Sequence, residues 1–377
     1  MLFHKAVWKQ NAITYFLQIE TFLSYKGLIT RITTKSGSVK MTVRIGINGF
    51  GRTGRLAMRA AEGRKDVEVV MVNTRSSDNE QMAHLYKYDS VHGILGKEVR
   101  ATDDGISVDG REVKFTAISD SLANIPWGEN GVDIVIESTG KFRKGPQAAD
   151  HLKAGAKKVI ISAPGKDVDA TFVLGVNEDT YDPDKHNVVS NASCTTNCLA
   201  PVAKVLNGAL EIKSGFCTTI HAYTGDQRLL DGSHKKDFRR ARAAAMSMVP
   251  TSTGAAKATG LVIPELKGKL DGVAVRVPTP DVSIVDLVAK VGRETSVEEI
   301  NSIYKKAAAG KLKGILSYTE VPLVSVDYTT TMDSAIVDGL MTNVIGDLVK
   351  VFAWYDNEMG YSARLIDLAA FMAEKGL

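Results

Sequence analysis

The chain has 377 residues, 44% of them hydrophobic and 24% charged, with a formal net charge of +4. That composition excludes a disordered chain. The charge is uneven: residues 1–40 set Lys5, Lys9, Lys26, Arg31, Lys35 and Lys40 against Glu20 alone, a net of +5, which leaves residues 41–377 at −1. A near-neutral body excludes nucleic-acid binding through a broad basic surface. It is also longer than one hydrophobic core usually spans, so two domains are expected.

The leader, residues 1–40, is poor in acids and rich in hydroxyl side chains. Three readings of it stay open: an upstream extension before a true start at Met41, a transit segment, or a functional arm. Its apolar pieces are broken by Gln18, Glu20, Ser24 and Lys26, so no membrane span is expected there. From 43 the chain reads VRIGIN, a nearly all-apolar run suited to a strand covered on both faces. Gly49, Gly51 and Gly54 follow, then RLAMRAAEG with helical spacing, then VEVVMVN at 67–73 as a second buried strand. GVDIVIEST at 131–139, a helical PQAADHLKAGA and KKVIISAP at 157–164 continue the alternation, which predicts a parallel sheet with crossover helices. Residues 187–209 read as strand, tight polar turn and helix.

The second half is β-rich at 216–224, 271–279, 282–291 and 349–358, with one strong helical pattern, SVEEINSIYKKAAAG, between them. An antiparallel sheet with helices on one face is expected. The closing run YSARLIDLAAFMAEKGL is helical and is expected to return to the first domain. The fold class is therefore α/β: a Rossmann-type parallel-sheet dinucleotide-binding domain over 41–192, joined by 358–377, and an α+β catalytic domain over 193–357.

GFGRTG at 49–54 matches GxGxxG between a buried strand and a helix, where glycines let the backbone approach a pyrophosphate at the helix N-terminus. The cofactor-binding candidates here are Gly49, Gly51, Arg52, Thr53 and Gly54. The fold expects an acid about 20 residues on to bind the ribose hydroxyls. Thr74 and Arg75 stand there instead. An acid would repel a 2′-phosphate, whereas a hydroxyl and a guanidinium can receive one, so NADP as well as NAD is expected. The alternative is that Arg75 points to solvent and Asp78 serves the ribose.

Cys194 lies at a strand-to-helix turn, where helix N-terminal amides stabilise a thiolate. His221, on a following strand, allows a thiolate–imidazolium pair with it, although their spacing alone does not bring them together. The three cysteines, Cys194, Cys198 and Cys217, are too few for a disulfide framework, which suits a reducing, cytoplasmic compartment. No second Cys or His pair completes a metal set, so no metal is expected. Arg276 lies inside an apolar strand and should have an anionic partner.

These blocks are specific enough to carry a resemblance. Over residues 42–377 the chain resembles the phosphorylating glyceraldehyde-3-phosphate dehydrogenases, through VRIGINGFGRTGRLAMR, KYDSVHG, ESTGKF, SNASCTTNCLAP, HAYTGDQ, RRARAAAMSMVPTSTGAAKA, VRVPTP and WYDNEMGYSAR. The resemblance implies that Cys194 attacks the aldehyde and His221 is the base. It implies that Thr224, Asp226, Arg276 and Arg240, or Arg239, hold the substrate's phosphate. Ser193, Thr195, Thr253 and Gly254 would hold the attacking phosphate. Thr139, Ser162, Asn357 and Tyr361 would serve the cofactor, with Asn357 on the nicotinamide carboxamide. It further implies glyceraldehyde 3-phosphate and inorganic phosphate as partners and a homotetramer. Thr53, Gly225 and the Thr74–Arg75 pair depart from the family pattern. Two alternatives are an erythrose-4-phosphate dehydrogenase and a catalytically silent paralogue, the latter being expected to lack Cys194, His221 or Arg276.

Overall fold

The computed structural model describes residues 42–76 and 78–377; the leader and the three readings of it lie outside the described residues. The first half runs β1 (Val43–Asn48), α1 (Arg52–Ala61), β2 (Val67–Asn73), α2 (Asn79–Lys87), β3 (Tyr88–Asp89), β4 (Gly93–Ile94), β5 (Val99–Thr102), β6 (Gly105–Val108) and β7 (Arg111–Thr116). It continues with β8 (Ile134–Glu137), α3 (Gly145–Ala148), α4 (Asp150–Lys153), β9 (Lys158–Ile161), β10 (Ala170–Thr171) and β11 (Val188–Ser190). Then come α5 (Cys194–Leu210), β12 (Ile212–Ala222), β13 (Val249–Ser252), α6 (Ala255–Val262), β14 (Leu270–Val277) and β15 (Ser283–Val291). The chain ends with α7 (Val297–Ala309), β16 (Leu316–Thr319), β17 (Ala335–Ile345), β18 (Leu348–Tyr355) and α8 (Met359–Lys375).

The first sheet is ordered β10-β11-β9-β8-β1-β2-β7-β6-β5. It is parallel from β10 to β7, and β5–β6–β7 close it as an antiparallel meander that the apolar pattern did not reveal. β1 lies between β2 and β8, so the chain crosses to the opposite side of β1 there. Such a reversal opens a crevice at the carboxyl ends of the strands. Ile45, Ile47, Val69 and Val72 are buried with Leu56 and Met58 of α1 and with Leu365, Leu368 and Met372 of α8. The PQAADHLKAGA run is two short helices rather than one, α3 and α4.

The second sheet, β13-β14-β12-β15-β18-β17-β16, corrects the antiparallel expectation. β12 runs parallel to β14 and β16 parallel to β17, while the other four pairings are antiparallel. The excursion through β13 and α6 brings the chain back beside β12 in the same direction. α5, α6 and α7 pack against this sheet, and alternate residues of β15 and β18 are buried. Val285, Leu287 and Ala289 meet Leu199, Val202 and Leu206 of α5 in one core.

Candidate active site

β1 delivers the glycine loop to the crevice. Gly49 has φ 103, and a Cβ there would come within 2.8 Å of Thr139 N. A Cβ on Gly54 would overlap Gly49 O. Gly51 meets nothing within 4 Å, so its freedom serves the open side of the loop. The crevice has a volume of about 980 Å³ and is lined by Gly49, Gly51, Thr74, Arg75, Ser138, Thr139, Lys141 and Phe142 among others. Its size and the α1 N-terminus suit an extended dinucleotide phosphate.

The remaining cofactor candidates lie elsewhere. Arg52 bonds Asp89 at 2.5 Å and also Glu358. Those carboxylates hold its guanidinium pKa above the usual value against burial. Its guanidinium is thus engaged by two carboxylates, while its backbone sits in the first turn of α1. Thr53, Gly54, Ser162, Asn357 and Tyr361 do not line this crevice. Arg75 lines it, is exposed, and has no acidic partner among the described residues. Asp78 caps α2, accepting from Gln81 N at 2.9 Å.

A buried polar chain under the crevice escaped the sequence reading. Trp127 Nε1 donates to His151 Nδ1 at 3.0 Å. That places the His151 proton on Nε2, 3.2 Å from Glu137 Oε2. Glu137 accepts from Asn48 Nδ2 at 2.6 Å and from Thr139 N at 2.9 Å. Asn73 Nδ2 donates to Asn48 Oδ1 at 2.8 Å. The carboxyl ends of β1, β2 and β8 are thus tied together by side chains.

At α5, Ser193 is the N-cap and its hydroxyl accepts from Thr196 N at 3.1 Å. Ala192, just before it, has φ 54, and its carbonyl accepts from Tyr361 OH at 3.1 Å. This places Cys194 in the first turn of α5. Its Sγ is 3.5 Å from His221 Nε2. Parallel pairing sets His221 beside Arg276. His221 Nδ1 is 2.7 Å from Ala222 O and 3.0 Å from Arg276 Nη1. A proton on Nδ1 satisfies the carbonyl and leaves the Nε2 lone pair facing the thiol.

Burial weighs on the charged forms of both groups. Burial, and then the Arg276 charge, push His221 down to about 3. Burial raises the Cys194 thiol, and Arg276 opposes that rise. Both groups are therefore driven toward their neutral forms. Arg276 itself has no carboxylate within ion-pair distance among the described residues, and its buried Nε has no partner. Among the described residues no carboxylate serves as its anticipated anionic partner.

Arg276 Nη1 donates to Thr224 Oγ1 at 3.2 Å. Arg240 Nη1 lies 2.5 Å from Asp226 Oδ2, and its Nε donates to Thr251 Oγ1 at 2.9 Å. Arg239 instead reaches Pro250 O at 3.5 Å, so Arg240 is the arginine gathered with Asp226. A second hollow of about 550 Å³ is lined by Arg143, Asp226, His234, Lys236, Arg239 and Arg240. Gly254 is the N-cap of α6, and Thr253 Oγ1 accepts from Ala255 N at 3.2 Å. Thr195 differs from expectation. It is buried, and its hydroxyl is 2.9 Å from Tyr355 OH, which also meets Thr219 Oγ1 at 2.8 Å.

Comparison with known proteins adds to this geometry. Residues 43–145 match the family model "Glyceraldehyde 3-phosphate dehydrogenase, NAD binding domain", and 193–357 match "Glyceraldehyde 3-phosphate dehydrogenase, C-terminal domain". The chain is 60% identical to glyceraldehyde-3-phosphate dehydrogenase of Geobacillus stearothermophilus over 338 residues, 89% of this chain and 100% of that one. It is 58% identical to glyceraldehyde-3-phosphate dehydrogenase 1 of Bacillus subtilis over 338 residues, again 89% and 100%. To glyceraldehyde-3-phosphate dehydrogenase 2 of a Nostoc species it is 57% identical over 338 residues, 88% and 99%.

Proposed function

The chain belongs to the glyceraldehyde-3-phosphate dehydrogenase family, and from that premise we propose that it oxidises D-glyceraldehyde 3-phosphate to 1,3-bisphosphoglycerate with Cys194 as nucleophile and His221 as base. It is an NAD-dependent oxidoreductase. The observation that carries the residue assignment is the Cys194 Sγ to His221 Nε2 distance of 3.5 Å, with Arg276 behind the imidazole.

Cys194 Sγ adds to the aldehyde carbon while its proton passes to His221 Nε2 and on to the new oxyanion, giving a thiohemiacetal. Bound NAD supplies the acceptor for the hydride that then leaves this carbon. His221 takes the hydroxyl proton as the hydride departs, and a thioester remains on Cys194. Inorganic phosphate attacks the thioester carbonyl, the C–S bond breaks, the departing Cys194 sulfur regains its proton from His221, and the acyl phosphate leaves. The substrate's own phosphate lies against Arg276, Thr224 and Arg240. Burial depresses His221 most and the Arg276 charge comes second; an anion on Arg276 offsets that second cause, so the base strengthens when substrate is in place. Ser193, Thr253 and Gly254 are our candidates for the attacking phosphate. Thr195 acts there through its backbone and its bond to Tyr355. Gly49, Gly51, Arg52, Gly54 and Thr139 hold the cofactor, and Asn357 its carboxamide.

Residues 41–192 with 358–377 form the cofactor domain in this reading, and 193–357 the catalytic domain. Exposed Phe216, Val273, Met246 and Ile345 support a homotetramer. No helix among the described residues is long and apolar enough to cross a membrane. Three free cysteines support a cytoplasmic location.

The test of the function is the phosphate dependence of NADH formation. Full turnover without phosphate would mean hydrolysis of the thioester and would remove the phosphorylating reading. Arg75, without an acidic partner among the described residues, supports NADP as a second cofactor. Arg75→Ala is expected to lower kcat/KM for NADP about tenfold while sparing NAD. A hundredfold preference of the wild type for NAD would sink that idea.

A further inference from the structure

Beside Asn357 lies a charged cluster that the chemistry above does not use. β15 begins next to the end of β18, with Ser283 opposite Tyr355. Just outside that pair stand Asp281, 3% exposed, and Asp356, 1% exposed. Their carboxylates and the His92 ring lie within 4.8 Å of one another. Val282, between Asp281 and Ser283, is held at φ 65, a strained conformation for a β-branched residue. Thr330, at φ 71, is strained on the other side.

The two carboxylates are served unequally. Asp356 Oδ2 accepts from Thr330 N at 2.7 Å, and its Oδ1 accepts from Glu358 N at 2.8 Å and Met359 N at 2.6 Å. Among the described residues no donor reaches either Asp281 oxygen in hydrogen-bond geometry, although the Val282 amide lies nearby. Two buried carboxylates side by side require a compensating positive charge. His92 Nε2 is 3.2 Å from Glu358 Oε2 and only 3.8 Å from Asp281, and its Nδ1 meets Thr330 Oγ1 at 3.0 Å. Glu358 in turn is bonded to Arg52, which also holds Asp89. These are the charged groups that face the pair, and their first partners are one another. A metal would have to take His92 from Glu358. A proton displaces nothing.

We propose that Asp281 is a protonated positioning residue, donating to the ionised Asp356 and so fixing Asn357 for the nicotinamide. The last step rests on the assignment of Asn357 above. Burial pushes both carboxyls upward; His92, Asp281 and the backbone amides oppose that rise at Asp356, whereas the Asp356 charge adds to it at Asp281. A second clamp lies two residues on. Ser283 Oγ donates to Asn357 Oδ1 at 2.6 Å and accepts from Ala222 N at 3.0 Å, beside His221. Residue 281 grips 356 and residue 283 grips 357, with strained Val282 held between the two clamps.

The test compares Asp281→Asn, which can donate but not ionise, with Asp281→Ala. A folded pKa raised above the unfolded value of 3.8 stabilises most at low pH, and that stability is lost as pH rises through the folded value. Because the unfolded carboxyl titrates near 3.8 and the folded one near 9, the wild-type Tm, measured without cofactor, should fall relative to Asp281→Asn between about pH 4 and about pH 9. Asp281→Ala should raise KM for NAD about tenfold with a smaller change in kcat, and Asp281→Asn should restore KM to within about twofold. Equal melting slopes in wild type and Asp281→Asn overturn the shared proton, whatever the cofactor does. An unchanged KM in Asp281→Ala overturns the positioning role. If Asn357→Ala also leaves KM unmoved, the assignment of Asn357 is what failed. Zn²⁺ or Mn²⁺ that raises the Tm of EDTA-treated wild type but not of Asp281→Asn would replace the proton with a metal.

Discussion

In our reading the nine-stranded sheet offers a ligand chiefly a place: the crevice beside Gly49 and Gly51, the first turn of α1 and the ends of β1, β2 and β8. The seven-stranded sheet offers side chains that meet across strands: Cys194 with His221, His221 with Arg276, Arg240 with Asp226. The difference follows from the chemistry. A pyrophosphate needs oriented N–H dipoles, which a helix terminus supplies from any sequence that leaves room. Covalent catalysis needs a particular thiol and a particular lone pair, so strand register has to bring them together. The first region should therefore tolerate side-chain change and fail on added bulk. The second should fail on a single atom.

The sharpest break of this comparison lies at the nucleophile. Cys194→Ala should lower kcat more than about 10⁴-fold, because covalent catalysis is lost outright. A variant that kept its activity would refute the mechanism. His221→Asn should cost about 10²–10⁴-fold in kcat. It also carries a stability signature. A folded pKa of about 3, against 6.5 unfolded, keeps His221 neutral in the native state. Stability is then full above pH 6.5 and is lost as pH falls toward 3, because only the unfolded chain gains the proton. Melting curves should show the wild type losing Tm faster than His221→Asn below about pH 6. Parallel curves would mean that the imidazole is not buried neutral.

The backbone side of the comparison is tested by two alanines. Gly51→Ala meets no protein atom within 4 Å, so Tm should stay within about 1 °C while KM for NAD rises. Gly54→Ala would drive a methyl into Gly49 O and to 3.1 Å from Ile47 Cγ2. It should cost about 1–3 kcal/mol in thermal or denaturant unfolding. If Gly51→Ala lost stability and kept its KM, the loop would be a packing feature and not a ligand cradle.

How legible each region was in the sequence follows the same division. The strand, glycine loop and α1 are consecutive, and so are β11, Ser193 and Cys194, so their roles could be read from local pattern. His221 and Arg276 are 55 residues apart and meet only because β12 and β14 run parallel, a pairing no periodicity announces. β17 was missed because Asp338–Gly339 and Thr342–Asn343 carry turn residues, and the strand absorbs them through a register shift between Asp338 and Asn343. Arg52 lies within the glycine motif and so is a cofactor-binding candidate in the sequence. Its guanidinium instead pairs with Glu358, 306 residues away. The Asp281–Asp356 pair is equally non-local, and nothing in either segment alone marks it.

The smallest effect expected is at Tyr355, where the two kinds of site touch. Its OH joins Thr219 of β12 to Thr195 of α5, one residue after the nucleophile. Tyr355→Phe keeps the ring and its packing against His221, a centroid separation of 5.9 Å. It removes one oxygen and leaves two buried hydroxyls without that partner. The cost should be about 1–2 kcal/mol of stability, the range for unpaired buried polar groups. The chemistry loses no reacting group, so kcat should fall less than about tenfold, through looser seating of the first turn of α5. A larger fall in kcat at unchanged Tm would mean that the Tyr355 hydroxyl acts on the reacting atoms. The division between positioning by backbone and reaction by side chain would then have to be redrawn at α5.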